Sequence, residues 1–240
     1  NVLREMLRYS VPLIPNNLMW WLMNAGDKYI INLYLGDSAN GLYSLSMKIP
    51  TILSIMYSIF SQAWQLSAIE ENNDEHRINF YETVYNAMVV FLVIVASIIL
   101  LLIRPIFAIF ISKEFYDAWQ YVPFLSIATI VNCLATFCGI TYVINKESIK
   151  SFYTTFLGAV VNILINFLLV EKLGLYGVAM GTGIGYLVVW IIRMRDCHDK
   201  IGMQFHNLRV AITILLLLFE SILMVLVNSV YTYVISLVGI

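Results

Sequence analysis

Seven stretches of mostly apolar residues follow one another along this chain, at roughly 9–34, 41–69, 83–103, 119–144, 149–170, 173–192 and 208–227. About 20 such residues make a helix long enough to cross the roughly 30 Å hydrocarbon core of a bilayer. The breaks between them carry turn chemistry or charge: Gly36 to Gly41, Glu70 to Arg77, Arg104-Pro105, Asn145-Lys146-Glu147, Glu171 to Gly174, and Arg193 to Arg209. After Asn228-Ser229 the sequence turns apolar again and stops at Ile240, about 12 residues on and too short to span. The expected fold is all-α: a polytopic transmembrane helix bundle over 1–240, with about seven complete spans and a truncated eighth.

Composition agrees. Hydrophobic residues make up 60% of the chain and charged ones 12%, with a mean hydropathy of +0.82. A soluble fold of this size could not bury that much apolar surface, which excludes cytosolic enzymes, disordered tails and basic nucleic-acid binders. Cys133, Cys138 and Cys197 lack paired metal-ligand spacing, so neither a metal nor a cofactor is expected. The chain starts at Asn1 without Met or signal-peptide zoning and reads as a piece of a longer protein.

Orientation follows from Lys and Arg in the loops. Arg4, Arg8, Arg77, Lys146, Lys150, Arg193, Arg195, Lys200 and Arg209 fall on one side, and Arg104, Lys113 and Lys172 on the other. The positive-inside bias puts the Asn1 side in the cytoplasm. The acidic run from Glu70 to Glu75 then becomes a solvated cytoplasmic connection.

Polar residues recur at helical spacing inside the spans. Ser44, Lys48, Thr51, Ser58, Gln62 and Gln65 form one face of the second span, while Thr129, Asn132, Thr136 and Gly139 mark the fourth and Thr155, Gly158, Asn162 and Asn166 the fifth. Such stripes either hydrogen-bond helix to helix or line water. The length of the second favours a water-filled cavity. Gly177, Gly181 and Gly185, four apart on the sixth span beside Gly183, predict close helix packing, with a mobile bend as the rival.

Charges at membrane depth cost several kcal/mol unless paired or hydrated. Asp27, Lys28, Lys48 and Glu220 are the candidates. Folding the first two spans as a hairpin about Ser38 sets Lys28 opposite Lys48 with Asp27 beside them. They form either one net-positive patch for an anion or a buried Asp27–Lys pair with the other lysine snorkelling outward. Glu220 is either a protonated, hydrogen-bonded carboxyl or a cavity-facing one. His76, His198 and His206 have no Ser, Cys or metal-ligand constellation around them, so no catalytic group is expected.

The series Pro12-Leu13-Ile14-Pro15, Trp20-Trp21, Asp27-Lys28-Tyr29-Ile30-Ile31, Leu35-Gly36, Gly41-Leu42-Tyr43, Lys48-Ile49-Pro50 and Phe60-Ser61-Gln62-Ala63-Trp64 resembles the Wzx-type oligosaccharide flippases. These form the polysaccharide branch of the multidrug/oligosaccharidyl-lipid/polysaccharide exporter superfamily. Phe115-Tyr116-Asp117-Ala118 and Gly174 to Ala179 also look like that family, except that Lys28 stands where Arg is common. The resemblance implies the C-terminal lobe of a two-lobe exporter in the bacterial inner (cytoplasmic) membrane, whose N-terminal lobe lies outside this chain. It implies transport of undecaprenyl-diphosphate-linked repeat units for cell-surface polysaccharide such as O-antigen or lipopolysaccharide. Lys28, Lys48, Asp27, Asn24, Trp20, Trp21 and Gln62 are the expected substrate-binding residues, the tryptophans serving either as sugar-stacking faces or as interface anchors. Expected partners are the lipid-linked oligosaccharide, membrane lipid, the other lobe and polysaccharide assembly machinery, with no nucleic acid. The competing readings are a drug or cation exporter of the same superfamily, a membrane-embedded glycan polymerase or ligase, and a non-transporting scaffold.

Overall fold

A computed structural model describes residues 10–11, 13–70, 77–205 and 207–238, and side chains within them except at 70, 207–209 and 228–238. Arg4, Arg8, Pro12, most of the acidic run, His76 and His206 lie outside the described residues. The elements in chain order are α1 (Leu13–Ser46), α2 (Lys48–Glu70), α3 (Arg77–Phe110), a 3-10 helix (Lys113–Tyr121), α4 (Val122–Cys138), α5 (Ile140–Ile144), α6 (Ser148–Leu173), α7 (Leu175–Ile201) and α8 (Asn207–Val238). The described residues contain helices and no strand.

Among the described residues, five helical segments are long and apolar enough to cross a membrane: Arg77–Phe110, Lys113–Ile144, Ser148–Leu173, Leu175–Ile201 and Val210–Val227. The chain is therefore a multi-pass helical membrane protein, but the expected count of seven plus one is not reached by the same measure. The first two expected spans fall short because polar residues interrupt them. The expected eighth helix is not separate, since α8 runs through Asn228-Ser229 without a break.

Other boundaries shift for identifiable reasons. At Gly36 the backbone takes φ 83° and ψ 178°, a region open to glycine and strained for L side chains. The chain bends there and resumes as helix over 37–46 instead of turning about Ser38. The interruption at Met47 traces to Pro50, which has no N–H to offer the Ser46 carbonyl. Met47 N–H to Tyr43 O (3.0 Å) and Thr51 N–H to Met47 O (3.1 Å) carry the helical bonding past it. Arg104-Pro105 does not end α3, and α7 continues beyond Arg193 until Gly202 (φ 87°), whose N–H bonds His198 O at 2.9 Å. Arg193, Arg195 and Lys200 therefore lie in α7, and Arg104 in α3, rather than in loops.

The segment Lys113–Ile144 is the centre of the bundle, with 72% of its apolar stretch buried against 28% for α3. Buried positions on α3 recur every three or four residues from Tyr81 through Tyr85, Met88, Leu92, Ala96 and Leu100 to Phe107. The opposite face, with Val90, Ile94, Ile98 and Leu101, is exposed, as suits a helix against lipid. Packing α4 and α6 against α7 joins the three most tightly associated helices, while α1 lies along α6 and α2 along α4.

Glycine sets the α6–α7 distance. A Cβ at Gly185 would lie 2.7 Å from Asn162 Cβ and 3.0 Å from Gly158 O, and one at Gly181 would collide with Asn166 Oδ1. The glycines at 177, 181 and 185 all face α6, whereas Gly183 meets Ala128 of α4 at an ordinary 3.7 Å. Small residues at this spacing let two helix backbones approach within lipid, where packing and interhelical hydrogen bonds hold helices together.

Candidate functional site: a buried carboxylate behind a polar cavity

Asp27 is 2% exposed. Its Oδ1 accepts from Asn162 Nδ2 at 3.1 Å and from Asn166 Nδ2 at 2.6 Å, and its Oδ2 accepts from Thr182 Oγ1 at 2.7 Å and Tyr43 Oη at 3.2 Å. A carboxylate offers about four lone-pair sites, and here each meets a neutral donor. Helices α6 and α7 and the Gly36-bent end of α1 converge on it. Asn162 and Asn166 are four apart and so share one face of α6, and the Gly36 bend brings Tyr43 back toward α1.

The expected cluster of Asp27 with Lys28 and Lys48 is not what the structure builds. Both lysines are exposed, and neither forms an ion pair among the described residues. The hairpin geometry behind that expectation assumed that α1 lies along α2, but α1 packs chiefly on α6. Two neighbours on a helix point about 100° apart, so burying Asp27 toward α6 turns Lys28 outward. Glu220 is exposed on α8.

Between α1, α2, α4 and α7 lies a cavity of about 160 Å³, whose wall includes Asn24, Thr51, Ser54, Thr129, Asn132, Thr182 and Tyr186. Thr182 serves both features, lining the cavity and donating to Asp27. Of the expected residues, Asn24 lines the cavity, Asp27 stands one hydroxyl behind it, and Trp20 packs on its Tyr186 with ring centroids 5.8 Å apart. Trp21, Gln62, Lys28 and Lys48 are exposed elsewhere on the surface. From the second-span stripe only Thr51 reaches the cavity; Lys48, Ser58, Gln62 and Gln65 form an exposed polar face.

Sequence reasoning missed a second buried charge. Arg193 is 4% exposed and sits within α7 rather than in a loop. Its Nε donates to Thr154 Oγ1 at 3.1 Å, one Nη to Ala135 O at 3.3 Å, and the other to Thr155 Oγ1 at 2.9 Å and Ser151 O at 3.4 Å. The guanidinium also faces the rings of Trp20 and Tyr142 at 5.6 and 5.8 Å, the geometry of cation–π attraction. Gly139 makes room for it, because a Cβ there would lie 2.9 Å from Arg193 Nη1. The signal was the run Val189, Trp190, Cys197, Ile201, whose helical spacing continues straight through Arg193.

Among the described residues, no three His, Cys, Asp or Glu side chains gather as a metal site. Thr182 thus joins a buried carboxylate to an uncharged polar cavity inside a helical membrane protein. Residues 1–86, which span α1, α2 and the start of α3, match the family model described as polysaccharide biosynthesis protein. No curated protein and no solved structure matches the chain.

Proposed function

We propose that this chain is one helical lobe of an alternating-access flippase that carries lipid-linked oligosaccharide across the cytoplasmic membrane for cell-surface polysaccharide assembly. The observation that carries this reading is the coincidence of the family match with the cavity: the matched segment supplies Asn24, Thr51 and Ser54 to its wall and Asp27 behind Thr182. The exposed face of Lys48, Ser58, Gln62 and Gln65 then lines a larger passage shared with a second helical lobe. In that passage Lys28 and Lys48 meet the diphosphate as exposed point charges. The chain acts as a carrier with no bond-making step of its own, and its partners are the lipid substrate, the second lobe and the assembly machinery.

Asp27 gives the drug or cation exporter its one specific support, since a carboxylate with no cationic partner among the described residues places negative potential behind the cavity. Deleting the gene in its host separates the readings. The flippase reading expects surface glycan to be lost and undecaprenyl-linked repeat units to accumulate on the cytoplasmic face, both reversed by the full-length gene. Unchanged glycan with increased sensitivity to cationic dyes would establish the exporter. Repeat units reaching the outer surface unpolymerised would establish a polymerase.

A further inference from the structure

One cation lies far from both the cavity and the α6–α7 seam. Arg104 sits near the end of α3 opposite Arg77, and the charge-free run before it, from Thr83 to Ile103, is roughly 30 Å long at about 1.5 Å per residue. That matches the roughly 30 Å hydrocarbon core of a bilayer, so Arg104 falls at its boundary, where lipid phosphates begin. Its partner on α8, Met224, lies close to the end of the apolar stretch Val210–Val227 and therefore at the same depth.

The protein fixes this guanidinium without neutralising it. Its central carbon lies 4.4 Å from the ring centroid of the buried Trp119, and one Nη donates to Met224 O at 2.6 Å. Two anchors on different elements, the 3-10 helix and α8, thus hold its position, and neither carries charge. No acidic side chain among the described residues pairs with it, and Glu220, one turn before Met224, is exposed and out of ion-pair reach. Nε is buried without a partner. Of five N–H donors the protein's own groups take one, and the Nη edge keeps most of its protons for an acceptor from outside.

Lipid reaches that edge. Arg104 lies on α3 between its buried face and Leu101, which is 78% exposed, and across the seam α8 exposes Leu223 beside Met224. A phosphate diester is anionic, and its two free oxygens match the two Nη nitrogens of an arginine fork. A phosphate dissolved in water gains nothing from Leu101 and Leu223, whereas the acyl chains of a phospholipid lie against them.

We infer that Arg104 is the headgroup site for one anionic phospholipid, whose phosphate takes the Nη edge while its acyl chains follow the α3–α8 seam. Neither α3, α8 nor the 3-10 helix lines the polar cavity, so the site is independent of what the protein transports. The bound lipid bridges α3 to α8, whose apolar stretch is only 17% buried within the protein.

The test follows thermal unfolding of the full-length protein in mixed micelles titrated with dioleoylphosphatidylglycerol, which should raise the unfolding temperature. Dioleoylglycerol, with the same chains and no phosphate, should not, and neither should inorganic phosphate. In Arg104→Gln the lipid concentration giving half the shift should rise about tenfold, the loss of one charge-assisted hydrogen bond. Lys172→Gln, which removes an exposed cation at the end of α6, should leave it unchanged, and Glu220→Gln should bind the lipid at least as tightly. An unaltered response in Arg104→Gln would overturn the site. So would an equal shift from dioleoylglycerol or from inorganic phosphate, which would show bare hydrocarbon or a free anion at work. Equal losses in Lys172→Gln or Glu220→Gln would overturn it too, by tracing the effect to diffuse charge or to an Arg104–Glu220 pair. If Arg104→Gln does not accumulate, Arg104→Lys decides: it keeps the charge without the fork, and should need more lipid than the unsubstituted protein, an unchanged requirement overturning the site.

Discussion

The two buried charges on the α6–α7 seam are opposite in sign and unlike in construction. Thr182 and Arg193 lie on the same face of α7, eleven residues apart, or about three turns and 16 Å. Asp27 at one end is held by donors that depend on it: Asn162 and Asn166 each give it an amide proton, and their own Oδ1 atoms have no partner. Arg193 at the other end is held by acceptors that depend on it little. Thr154 and Thr155 already bond Ser151 O, Thr155 also bonds Asn16 Oδ1, and Ala135 O receives the Gly139 N–H. The anion is thus the keystone of its network, whereas the cation is an addition to groups that are satisfied without it.

Removing each charge therefore gives unequal losses. Asp27→Ala strands two buried amides at roughly 1–3 kcal/mol each, so thermal unfolding in detergent should show a loss of about 2–6 kcal/mol. Arg193→Met keeps a long apolar stem and gives up mainly the aromatic contacts, for a loss of about 1–2 kcal/mol. Equal losses, or a larger one at Arg193, would break the comparison.

The glycines sharpen it. Gly185→Ala drives a methyl against the Gly158 carbonyl and Asn162 Cβ, neither of which can swing aside, and should cost about 1–3 kcal/mol while loosening the amides on Asp27. Gly139→Ala meets the far end of the Arg193 side chain, which can swing aside, and one fixed group, the Thr136 carbonyl at 3.0 Å, against two at Gly185, so its cost should be below that of Gly185→Ala in the same unfolding assay.

The smallest effect lies outside the seam, where Glu147 bonds Lys200 and Lys150 at the turn into α6. The Lys200 ammonium holds the Glu147 carboxyl below its usual range, with Lys150 adding to it. A carboxyl depressed in the folded state contributes stability that is complete above its unfolded value and lost as pH falls through the folded one. Glu147→Gln should lower stability slightly at neutral pH and converge with the unsubstituted protein in acid, flattening the acid side of the profile, and the loss should be small because the pair is largely solvated.

Much of the seam was legible in the sequence. The stripe Thr155, Gly158, Asn162, Asn166 and the glycines at 177, 181 and 185 stand at helical spacing, and these positions do face one another. Asp27 was legible as a costly buried charge, but its partners were not. Three of the four lie on α6 and α7, more than 130 residues further on, and no local pattern specifies which helix α1 packs against. The lysine cluster failed because a bend at Gly36 and a close hairpin about Ser38 look alike in sequence. Arg193 was hidden because hydropathy falls where charged residues begin, while the helix follows its buried face onward to Gly202.

The central claim is that neutral groups of α6 and α7, and not the lysines, hold Asp27. A double-mutant cycle on unfolding free energy tests it, pairing Asp27→Asn with Asn166→Ala in one arm and with Lys48→Ala in the other. Residues in one hydrogen-bond network couple by about 0.5–3 kcal/mol, and independent ones add within about 0.3–0.5. The structure predicts coupling above that threshold for Asn166 and additivity for Lys48; strong coupling to Lys48 with additivity at Asn166 would contradict it.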